Sequence, residues 1–316
     1  MKKLLITGGA GFIGSHFVIE AVNRGYEVYN LDSLTYAANL DNLKSIEDNE
    51  NYQFIKGDIR DAKLVKELFD SIKFDMVAHL AAESHVDKSI ENPSIFIETN
   101  IWGTHNLLEN AKKNDIKKFL HVSTDEVYGD LEKDDSAFTE NHHLKPNSPY
   151  SASKTASDLL VRSYVKTFGL PAVISRCSNN YGPHQDDTKL IPVVIKQALR
   201  NEKIPVYGKG DNIRDWLFVE DHVDALFAVM EKGEAGEIYN IGGNNEQTNI
   251  DIVKTILKIL EKDEDLIDFV EDRLGHDFRY AINAEKIKDK LDWSPRQDFE
   301  KMLEETVEWY KKQSKN

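Results

Sequence analysis

The chain has 316 residues, of which 40% are hydrophobic, so it can bury a substantial core in one large domain or two closely built ones. Its 40 lysines and arginines against 55 aspartates and glutamates give a formal net charge of −15, which repels nucleic acids and anionic membrane surfaces. The single cysteine, Cys177, excludes an internal disulfide and a cysteine-based zinc site. We therefore expect a globular protein with no nucleic-acid partner and no metal.

The N-terminal residues 1–6 carry two lysines and a short apolar run that reaches glycines by residue 8. A signal peptide needs a longer apolar region and a cleavage site of small residues. No apolar run approaches the ~20 residues of a membrane-spanning helix. We expect a soluble cytoplasmic protein with no membrane partner.

A glycine-rich turn follows the first predicted strand. Predicted strands at 2–7 and 26–31 flank a predicted helix at 12–24, which makes one βαβ unit. The turn has the pattern G-x-G-x-x-G, in which glycines allow a tight turn, close approach of the backbone to pyrophosphate and close helix–strand packing. The helix N-terminus adds free N–H groups and positive potential for the anion. The predicted dinucleotide contacts are Gly8, Gly11, Phe12, Ile13 and Gly14.

Asp32 ends the second predicted strand, close to the ~20 residues beyond the glycine pattern at which a ribose-binding acid is expected. Its carboxylate would accept hydrogen bonds from the adenosine ribose and repel a 2′-phosphate, so it favours NAD over NADP. The alternative is a purely structural turn in which Asp32 caps a loop.

Strands and helices continue to alternate up to residue 176. The predicted strands lie at 52–58, 76–80, 118–123 and 173–176, and the predicted helices at 62–72 and 93–114. This alternation is typical of an α/β protein with a doubly wound parallel sheet, the Rossmann architecture. At the strand ends, Asp58 and Ile59 would bracket an adenine ring or form an exposed turn. Ala81 and Ala82 would let a cofactor lie against the backbone or would be core residues.

Residues 121–154 combine an acidic pair at a strand end with a tyrosine and a lysine four residues apart. Tyr150 and Lys154 fall on one face of a predicted helix, so the ammonium can favour the phenolate below the ordinary phenol pKa of about 10. Such a pair is a base for a hydroxyl proton. Asp125 and Glu126 follow the strand at 118–123. Taken separately, each pair could instead be an ordinary solvated surface pair.

The alternation breaks after residue 176. We predict a polar loop at 177–185 and helices at 190–200, 220–232, 248–261, 284–291 and 299–312. Short strands around a turn are predicted at 205–210 and 214–219, and a further strand at 238–241. We expect a nucleotide-binding domain at 1–176 with a returning segment at 219–243. A smaller C-terminal substrate-binding α/β domain would comprise 177–218 and 244–316.

Several stretches carry a family likeness that covers nearly the whole chain: Thr7–Ser15, Leu80–Asp87, Ser123–Gly129, Tyr150–Lys154, Ser178–Pro183, Lys189–Pro192 and Arg214–Trp216. In these stretches the chain resembles the extended short-chain dehydrogenases/reductases and, within them, the dTDP-glucose 4,6-dehydratases. The glycine loop and the Tyr150–Lys154 pair mark only the superfamily. Thr124-Asp125-Glu126 is the specific signal, because relatives that epimerise or decarboxylate usually lack an adjacent Asp-Glu pair there.

The resemblance implies NAD-dependent oxidation of dTDP-glucose at C4, elimination of water across C5 and C6, and return of hydride to C6. The implied catalytic residues are Thr124, Asp125, Glu126, Tyr150 and Lys154. Tyr150, assisted by Lys154, would take the O4 proton, Glu126 would be the base at C5, and Asp125 would protonate the departing O6. Asp125 should then have a raised pKa, through burial and the neighbouring carboxylate. The alternatives are a UDP-glucose 4,6-dehydratase, another NAD-dependent nucleotide-sugar epimerase or decarboxylase, or a catalytically silent NAD-binding protein.

The resemblance also implies contacts to the nucleotide-sugar substrate. They are Ser84, Thr124 and Asn180 at the sugar or diphosphate, Arg214 and Arg279 at the diphosphate, Pro205, Tyr207 and Asn249 at the nucleotide, together with Lys189 and Leu190. Tyr207 could instead be a core residue, and Arg214 could be an ion-pair partner of Asp215. Leu274 stands where the family usually has proline, which leaves the choice of base open. A homodimer packed through the helix at 93–114 and the Tyr150 helix is also implied.

Overall fold

The computed structural model describes residues 1–272, 276–296 and 298–314, so Leu274 lies outside the described residues. The strands are β1 (Lys3–Thr7), β2 (Glu27–Asp32), β3 (Tyr52–Lys56), β4 (Met76–His79), β5 (Lys118–Thr124), β6 (Ala172–Cys177), β7 (Asn179–Tyr181), β8 (Ile204–Tyr207), β9 (Ile213–Phe218), β10 (Ile238–Ile241), β11 (Glu246–Thr248) and β12 (Ile267–Val270). Seven of them form one parallel sheet in the order β3-β2-β1-β4-β5-β6-β10. The predicted doubly wound parallel sheet is confirmed.

Helices cover both faces of this sheet. They are α1 (Phe12–Asn23), α2 (Ala62–Ile72), α3 (Val86–Glu91), α4 (Pro93–Phe96), α5 (Thr104–Lys113), α6 (Pro149–Phe168), α7 (Leu190–Arg200), α8 (Val219–Lys232), α9 (Asn249–Ile259), α10 (Glu285–Leu291) and α11 (Phe299–Gln313). Alternate side chains of β1 enter opposite cores: Leu4 and Ile6 pack with α1 and α8, and Leu5 packs with α2, α5 and α6. Among the described residues, no helix combines the length and apolar character needed to cross a membrane.

The order of the strands creates a crevice next to β1. Because β1 pairs with both β2 and β4, the chain leaves the sheet centre in one direction and then crosses back to continue in the other. The loops that follow β1 and β4 therefore diverge, and ligands of open α/β sheets bind in the crevice between such loops. The glycine loop and Ala81–Ala82 consequently lie on opposite sides of one crevice.

The second part of the chain contains two small sheets, in which β9 pairs with β7 and β11, and β8 pairs with β12. The predicted strands at 205–210 and 214–219 correspond to β8 and β9. They do not pair with each other across a turn, since β8 pairs with β12, and β9 pairs with β7 and β11. The predicted polar loop at 177–185 contains β7. α7, α9 and α11 bury their apolar faces together in a separate core that includes Ile195, Ile256 and Leu303. α10 instead packs against β10 and α8, and its Ile287 and Leu291 join the core of the main sheet.

The predicted helix at 93–114 is interrupted by a π-helical segment, Ile97–Gly103, between α4 and α5. Asn100 lies in this segment and is 1% exposed. The Asn100 amide accepts from the N–H of Glu83 and donates to the Glu83 carbonyl and the Ser153 hydroxyl. These bonds tie the loop after β4 to α6.

Candidate active site

The glycine loop is shaped so that a phosphate can lie against its backbone. Gly8 has φ +76°, and a Cβ placed on it would lie 2.6 Å from the backbone nitrogen of Ala81. A Cβ on Gly14 would collide with the Gly8 carbonyl, so helix α1 can start this close to β1 only with glycine there. A Cβ on Gly11 would meet only the Gly8 oxygen, at 3.4 Å, so Gly11 borders open space. The first turn of α1 contains no acidic side chain to compete for an anion.

Asp32 lies at the end of β2 beside this loop and is 7% exposed. One of its carboxylate oxygens accepts from the Ala10 N–H at 2.9 Å and the other from the Leu34 N–H at 2.8 Å. Asp32 therefore caps a loop, as the structural alternative required, and also lines the cleft, as cofactor binding requires. The two bonds fix the carboxylate and leave lone pairs for ribose hydroxyls.

One cleft brings together most of the residues predicted for the site. It is lined by all the predicted cofactor residues, Gly8, Gly11, Phe12, Ile13, Gly14, Asp32, Asp58, Ile59, Ala81, Ala82, Tyr150 and Lys154, and by Ser84, Thr124, Asp125, Glu126, Asn180 and Lys189. Ala81 and Ala82 both border the cleft, and Ala81 also packs against one core of the sheet, so the two alternatives for it are not exclusive. Asp58 Oδ2 accepts from Nε and Nη2 of Arg60 at 2.9 and 2.7 Å, and Oδ1 accepts from the Arg60 N–H at 2.8 Å, so Asp58 is a fixed carboxylate and not a free turn residue.

The acidic pair lies at the end of β5, on a short 3₁₀ helix (Asp125–Tyr128). Thr124 caps this helix by accepting the Glu126 N–H at 3.3 Å, which holds the pair at the strand end. Asp125 is 3% exposed, and its Oδ2 has no hydrogen-bond partner among the described residues. Burial raises the pKa of Asp125 well above its ordinary value, and the carboxylates of Glu126 and Asp215 raise it further. The predicted raised pKa of Asp125 is confirmed, and the direction of the shift favours the protonated form that a general acid needs.

Tyr150 and Lys154 lie one turn apart on α6, whose N-terminus is fixed by a capping box between Ser148 and Ser151. The Lys154 ammonium donates to the Val122 carbonyl on β5 at 2.8 Å. Burial lowers the pKa of Lys154 to about 8, a change that Asp158 opposes.

The predicted lowering of the Tyr150 pKa is wrong for the free protein. Burial raises this pKa well above 10, and Glu126 raises it further. The phenol is therefore protonated before ligands bind.

Six predicted substrate residues lie outside the cleft lining: Leu190, Pro205, Tyr207, Arg214, Asn249 and Arg279. Leu190 packs against the core of the second part of the chain. Tyr207 is 44% exposed on β8, so the core alternative for it is wrong. Pro205 is exposed on the same strand, and Asn249 begins α9.

The two arginines predicted to bind diphosphate have protein partners in this structure. Arg214 donates to the carbonyls of Ile213, Phe278 and Asp277 and lies 4.3 Å from the Tyr280 ring centroid. Arg279 pairs with Glu246 at 2.6 Å and donates to the Asp135 carbonyl at 2.8 Å. Asp215, the alternative partner of Arg214, accepts instead from the N–H groups of Gly243 and Asn245.

Several residues that line the cleft were not predicted from the sequence to be site residues. They include Ser33, Thr35, Ala37 and Ala38 after β2, Arg60 after β3, Glu83 after β4, Thr99 in the π-helical segment, and Gln185 and Asp186 before α7. Most lie in loops of unremarkable composition, where no periodic pattern marks them. Arg60 could have been predicted, because it lies two residues beyond Asp58, a residue predicted to contact the cofactor at the end of a strand.

Comparison with known proteins gives the family of this chain. Residues 5–306 match the family described as GDP-mannose 4,6 dehydratase. The chain belongs to this family.

Similar proteins of known activity include a dehydratase and an epimerase. A dTDP-glucose 4,6-dehydratase of Xanthomonas campestris pv. campestris (strain B100) is 51% identical over 328 residues, which cover 98% of this chain and 93% of that protein. The crystal structure of a dTDP-glucose 4,6-dehydratase from Streptomyces venezuelae with NAD and TYD bound has a TM-score of 0.94 at 45% identity, over 98% of this chain and 97% of that one. A UDP-glucose 4-epimerase from Thermotoga maritima has a TM-score of 0.93 at 32% identity, over 99% of each chain. Within the GDP-mannose 4,6 dehydratase fold, side chains must therefore decide between dehydration and epimerisation.

Proposed function

We propose that the chain is an NAD-dependent dTDP-glucose 4,6-dehydratase that forms dTDP-4-keto-6-deoxyglucose. The observation that carries this proposal is the buried Asp125, whose pKa is raised well above its ordinary value, beside Glu126 in the cleft that also contains Tyr150 and Lys154. Elimination of water needs one carboxylic acid and one carboxylate at the same sugar, and an epimerase has no use for that pair. The match at about half of all positions with curated dTDP-glucose 4,6-dehydratases supports the same conclusion.

The cleft fits NAD. Gly8, Gly11 and Gly14 leave room for a pyrophosphate at the N-terminus of α1, and Asp32 offers a fixed carboxylate to a ribose. A 2′-phosphate at that position would face the Asp32 charge, so NAD is favoured over NADP. A bound NAD would supply the hydride acceptor for oxidation at C4 and the hydride donor for reduction at C6.

The redox half of the reaction needs a base for the O4 hydroxyl. Tyr150 would remove this proton, and Lys154, at the next turn of α6, would supply the positive charge that the phenolate needs. Thr124 lies at the end of β5, within hydrogen-bonding reach of the Tyr150 phenol, and would orient it.

The elimination half needs two carboxyl groups in opposite protonation states. The 4-ketone acidifies the hydrogen on C5, so Glu126 would remove it as a base. Burial and the neighbouring carboxylates raise the pKa of Asp125. Asp125 would therefore be the acid that protonates O6, which then leaves as water. Two neighbouring carboxyl groups with different surroundings thereby take the acid and base roles.

We also propose contacts between this chain and the nucleotide sugar, based on where the predicted residues lie in the structure. Ser84, Asn180 and Lys189 border the same cleft as the catalytic residues, which supports roles at the sugar and diphosphate. Arg214 and Arg279 would exchange some of their present hydrogen bonds for bonds to the diphosphate. Guanidinium groups can bind its charged oxygens in a bidentate manner. Leu190, Pro205, Tyr207 and Asn249 would border the nucleotide on the side of β8 and α9.

The deciding experiment is incubation with dTDP-glucose followed by addition of alkali, which reveals 4-keto sugars by their absorbance. We expect signal with dTDP-glucose that exceeds the signal with UDP-glucose. A signal only with UDP-glucose would make the chain a UDP-glucose 4,6-dehydratase. No signal with either substrate would contradict the proposal, and an interconverted product of unchanged mass would identify an epimerase of the kind that shares this fold.

We propose a homodimer formed through the π-helical segment and α6. Large apolar side chains are exposed there: Ile97 is 56% exposed, Trp102 53%, Leu159 52% and Phe168 52%. Trp102→Glu should convert the dimer to a monomer in light scattering. Phe269→Glu, at a 58% exposed position on β12, should leave the mass unchanged. A monomeric wild-type protein would contradict this assembly.

The division of the chain and its compartment are further proposals. Residues 1–176 with 219–243 would bind NAD, and 177–218 with 244–316 would bind the nucleotide sugar, which the separate core of α7, α9 and α11 supports. A cytoplasmic location is supported by the expected cofactor and by the single, buried Cys177. Limited proteolysis would test the first proposal, and fractionation of the source cells would test the second.

A further inference from the structure

A third charged residue continues the catalytic stripe of α6 into the protein interior. Tyr150, Lys154 and Asp158 are spaced by four residues, so they lie on one face of the helix, which packs on β5 and β6. Asp158 is 2% exposed and is absent from the cleft lining. It therefore lies behind the catalytic pair, away from any substrate.

Asp158 is held by side chains from both neighbouring strands. Its Oδ2 accepts from Nε of Arg176 on β6 at 2.9 Å, and its Oδ1 lies 3.3 Å from Nε2 of His121 on β5. Arg176 is 3% exposed and His121 0% exposed. Arg176 also lies 4.8 Å from the ring centroid of Tyr128, at the end of the 3₁₀ helix that carries the acidic pair. The Asp158–Arg176 ion pair therefore contacts both α6, which carries Tyr150 and Lys154, and the 3₁₀ helix that carries the acidic pair.

Around Asp158, buried positive charges outnumber buried negative charges. Burial lowers the pKa of His121, and Lys154 lowers it further, so the imidazole is neutral near pH 7. That leaves two buried cations, Lys154 and Arg176, around the single anion Asp158. A buried cation without a counter-charge is unstable, and of these two only lysine gives up its proton readily, because a guanidinium does not lose its proton in proteins. The charge on Lys154 should therefore depend on Asp158.

We propose that Asp158 is a positioning residue for the dehydratase reaction, a buried counter-charge that keeps Lys154 an ammonium directed at the Val122 carbonyl beside Tyr150. The catalytic consequence rests on the proposed function, whereas the charge state of Lys154 does not. Within the part of the chain that the structure describes, the groups that interact electrostatically with Lys154 include Asp158 on α6, His79 on β4, His121 on β5 and Cys177 on β6. Tyr150 lies one turn away on α6, and Arg176 on β6 pairs with Asp158.

Asp158 is the one anion in that set near neutral pH. Burial keeps His79 neutral, and it raises the pKa of Cys177 to about 12. Tyr150 is protonated in the free protein. Asp158 also opposes the lowering of the Lys154 pKa by burial, which agrees with the geometric argument.

The test is a titration of Lys154 by NMR in full-length protein with ¹³C-labelled lysine, with the signal assigned by its loss in Lys154→Met. In the wild type Lys154 should titrate near pH 8. Asp158→Asn keeps the size of the side chain and removes its charge, so it should lower the Lys154 pKa by about one unit or more. His121→Gln removes the neutral imidazole beside Asp158 and keeps the charges of Asp158 and Arg176, so it should leave this pKa within about half a unit of wild type.

Activity gives a second readout. Because Lys154 acts in its charged form, activity is present below its pKa and is lost as pH rises through it. Asp158→Asn should move the alkaline limb of the kcat profile to lower pH by the shift that NMR records, with KM for dTDP-glucose changed less than about twofold, since Asp158 does not border the cleft. An unchanged limb, with activity lowered equally at every pH, would reduce Asp158 to a structural role and overturn the proposal.

A double variant covers failure of Asp158→Asn to fold. Asp158→Asn with Arg176→Met removes both partners of a buried ion pair, which proteins often tolerate better than the loss of one. The double variant should still lower the Lys154 pKa, and a wild-type value would overturn the proposal. An inactive wild type would contradict the proposed function alone, because the NMR titration measures Lys154 without turnover.

Discussion

Asp125 has the surroundings of a general acid. Its carboxyl group is buried, one oxygen has no hydrogen-bond partner among the described residues, and two further carboxylates raise its pKa. The same surroundings make the ionised form unstable in the folded state. The raised pKa of Asp125 thus favours its role as an acid and lowers the stability of the fold as pH rises, and both consequences can be measured.

Asp125→Asn removes the proton donor and keeps the shape of the side chain. Oxidation at C4 should continue, whereas loss of water should slow by about 10²–10⁴-fold, the usual contribution of a positioned acid. Rapid mixing with dTDP-glucose should show NADH absorbance that accumulates before product forms. Tyr150→Phe is the matched control, because it should prevent the NADH signal altogether. Equal loss of NADH formation in both variants would contradict this division of roles.

The stability of the same variant should depend on pH in a defined direction. The pKa of Asp125 is higher in the folded than in the unfolded chain, so its contribution to stability is complete below about pH 4 and is lost as pH rises. Asp125→Asn removes this loss. Its melting temperature should therefore exceed that of the wild type by a few degrees at pH 8, and the difference should shrink toward pH 4. A difference that stays constant with pH would show that the folded protein does not raise this pKa.

Sequence reasoning could find Asp125 but not all of the environment that tunes it. The Asp-Glu pair follows a recognisable strand, so its place at a sheet edge was predictable. Asp215, which also raises the Asp125 pKa, comes from β9, and no local pattern relates the two positions. Lys154 shows the same limit: its spacing from Tyr150 was predictable, whereas the burial that reverses the expected shift in the Tyr150 pKa arises from packing.

At the level of elements, the loop between β2 and the 3₁₀ helix Leu40–Ile46 forms a strap beside the cofactor cleft. Ser33 and Ala38 of this strap border the cleft from one side, and Ala81 and Glu83 border it from the other. Tyr36 bridges the two sides. Its ring lies 3.0 Å from the Lys88 ammonium, and its hydroxyl bonds Glu83.

Removal of this bridge should speed cofactor exchange. Tyr36→Ala should release NAD about tenfold faster than the wild type, measured by displacement of bound cofactor with labelled NAD. Tyr36→Phe keeps the ring over Lys88 and should fall between the two. An unchanged release rate in Tyr36→Ala would mean that the strap does not limit exchange.

The predicted elements were accurate where local pattern and packing agree. α2, α7 and β10 have the predicted bounds, because each carries a clear apolar face or run next to turn residues. β7, β11 and β12 were missed, since they have four residues or fewer and are stabilised by pairing with distant strands. The π-helical segment was also missed, because it follows from the bonds of Asn100 to Glu83 and Ser153 and not from helical propensity.

For the whole molecule, the fold places a nucleotide cleft at the switch point of the sheet but leaves the reaction open. A dehydratase and an epimerase both match the chain with TM-scores above 0.9. The net charge of −15 makes the few basic groups at the cleft, Arg60, Lys154 and Lys189, important for an anionic substrate. The central claim therefore depends on the acidic pair at the end of β5.

The most direct test follows a deuterium label from substrate to product. With dTDP-glucose deuterated at C4, mass spectrometry should find a product that is lighter by one water and carries the deuterium at C6. This result requires oxidation at C4, elimination across C5 and C6, and return of the same hydride within one site. A product with the mass of the substrate and deuterium still at C4 would contradict the account.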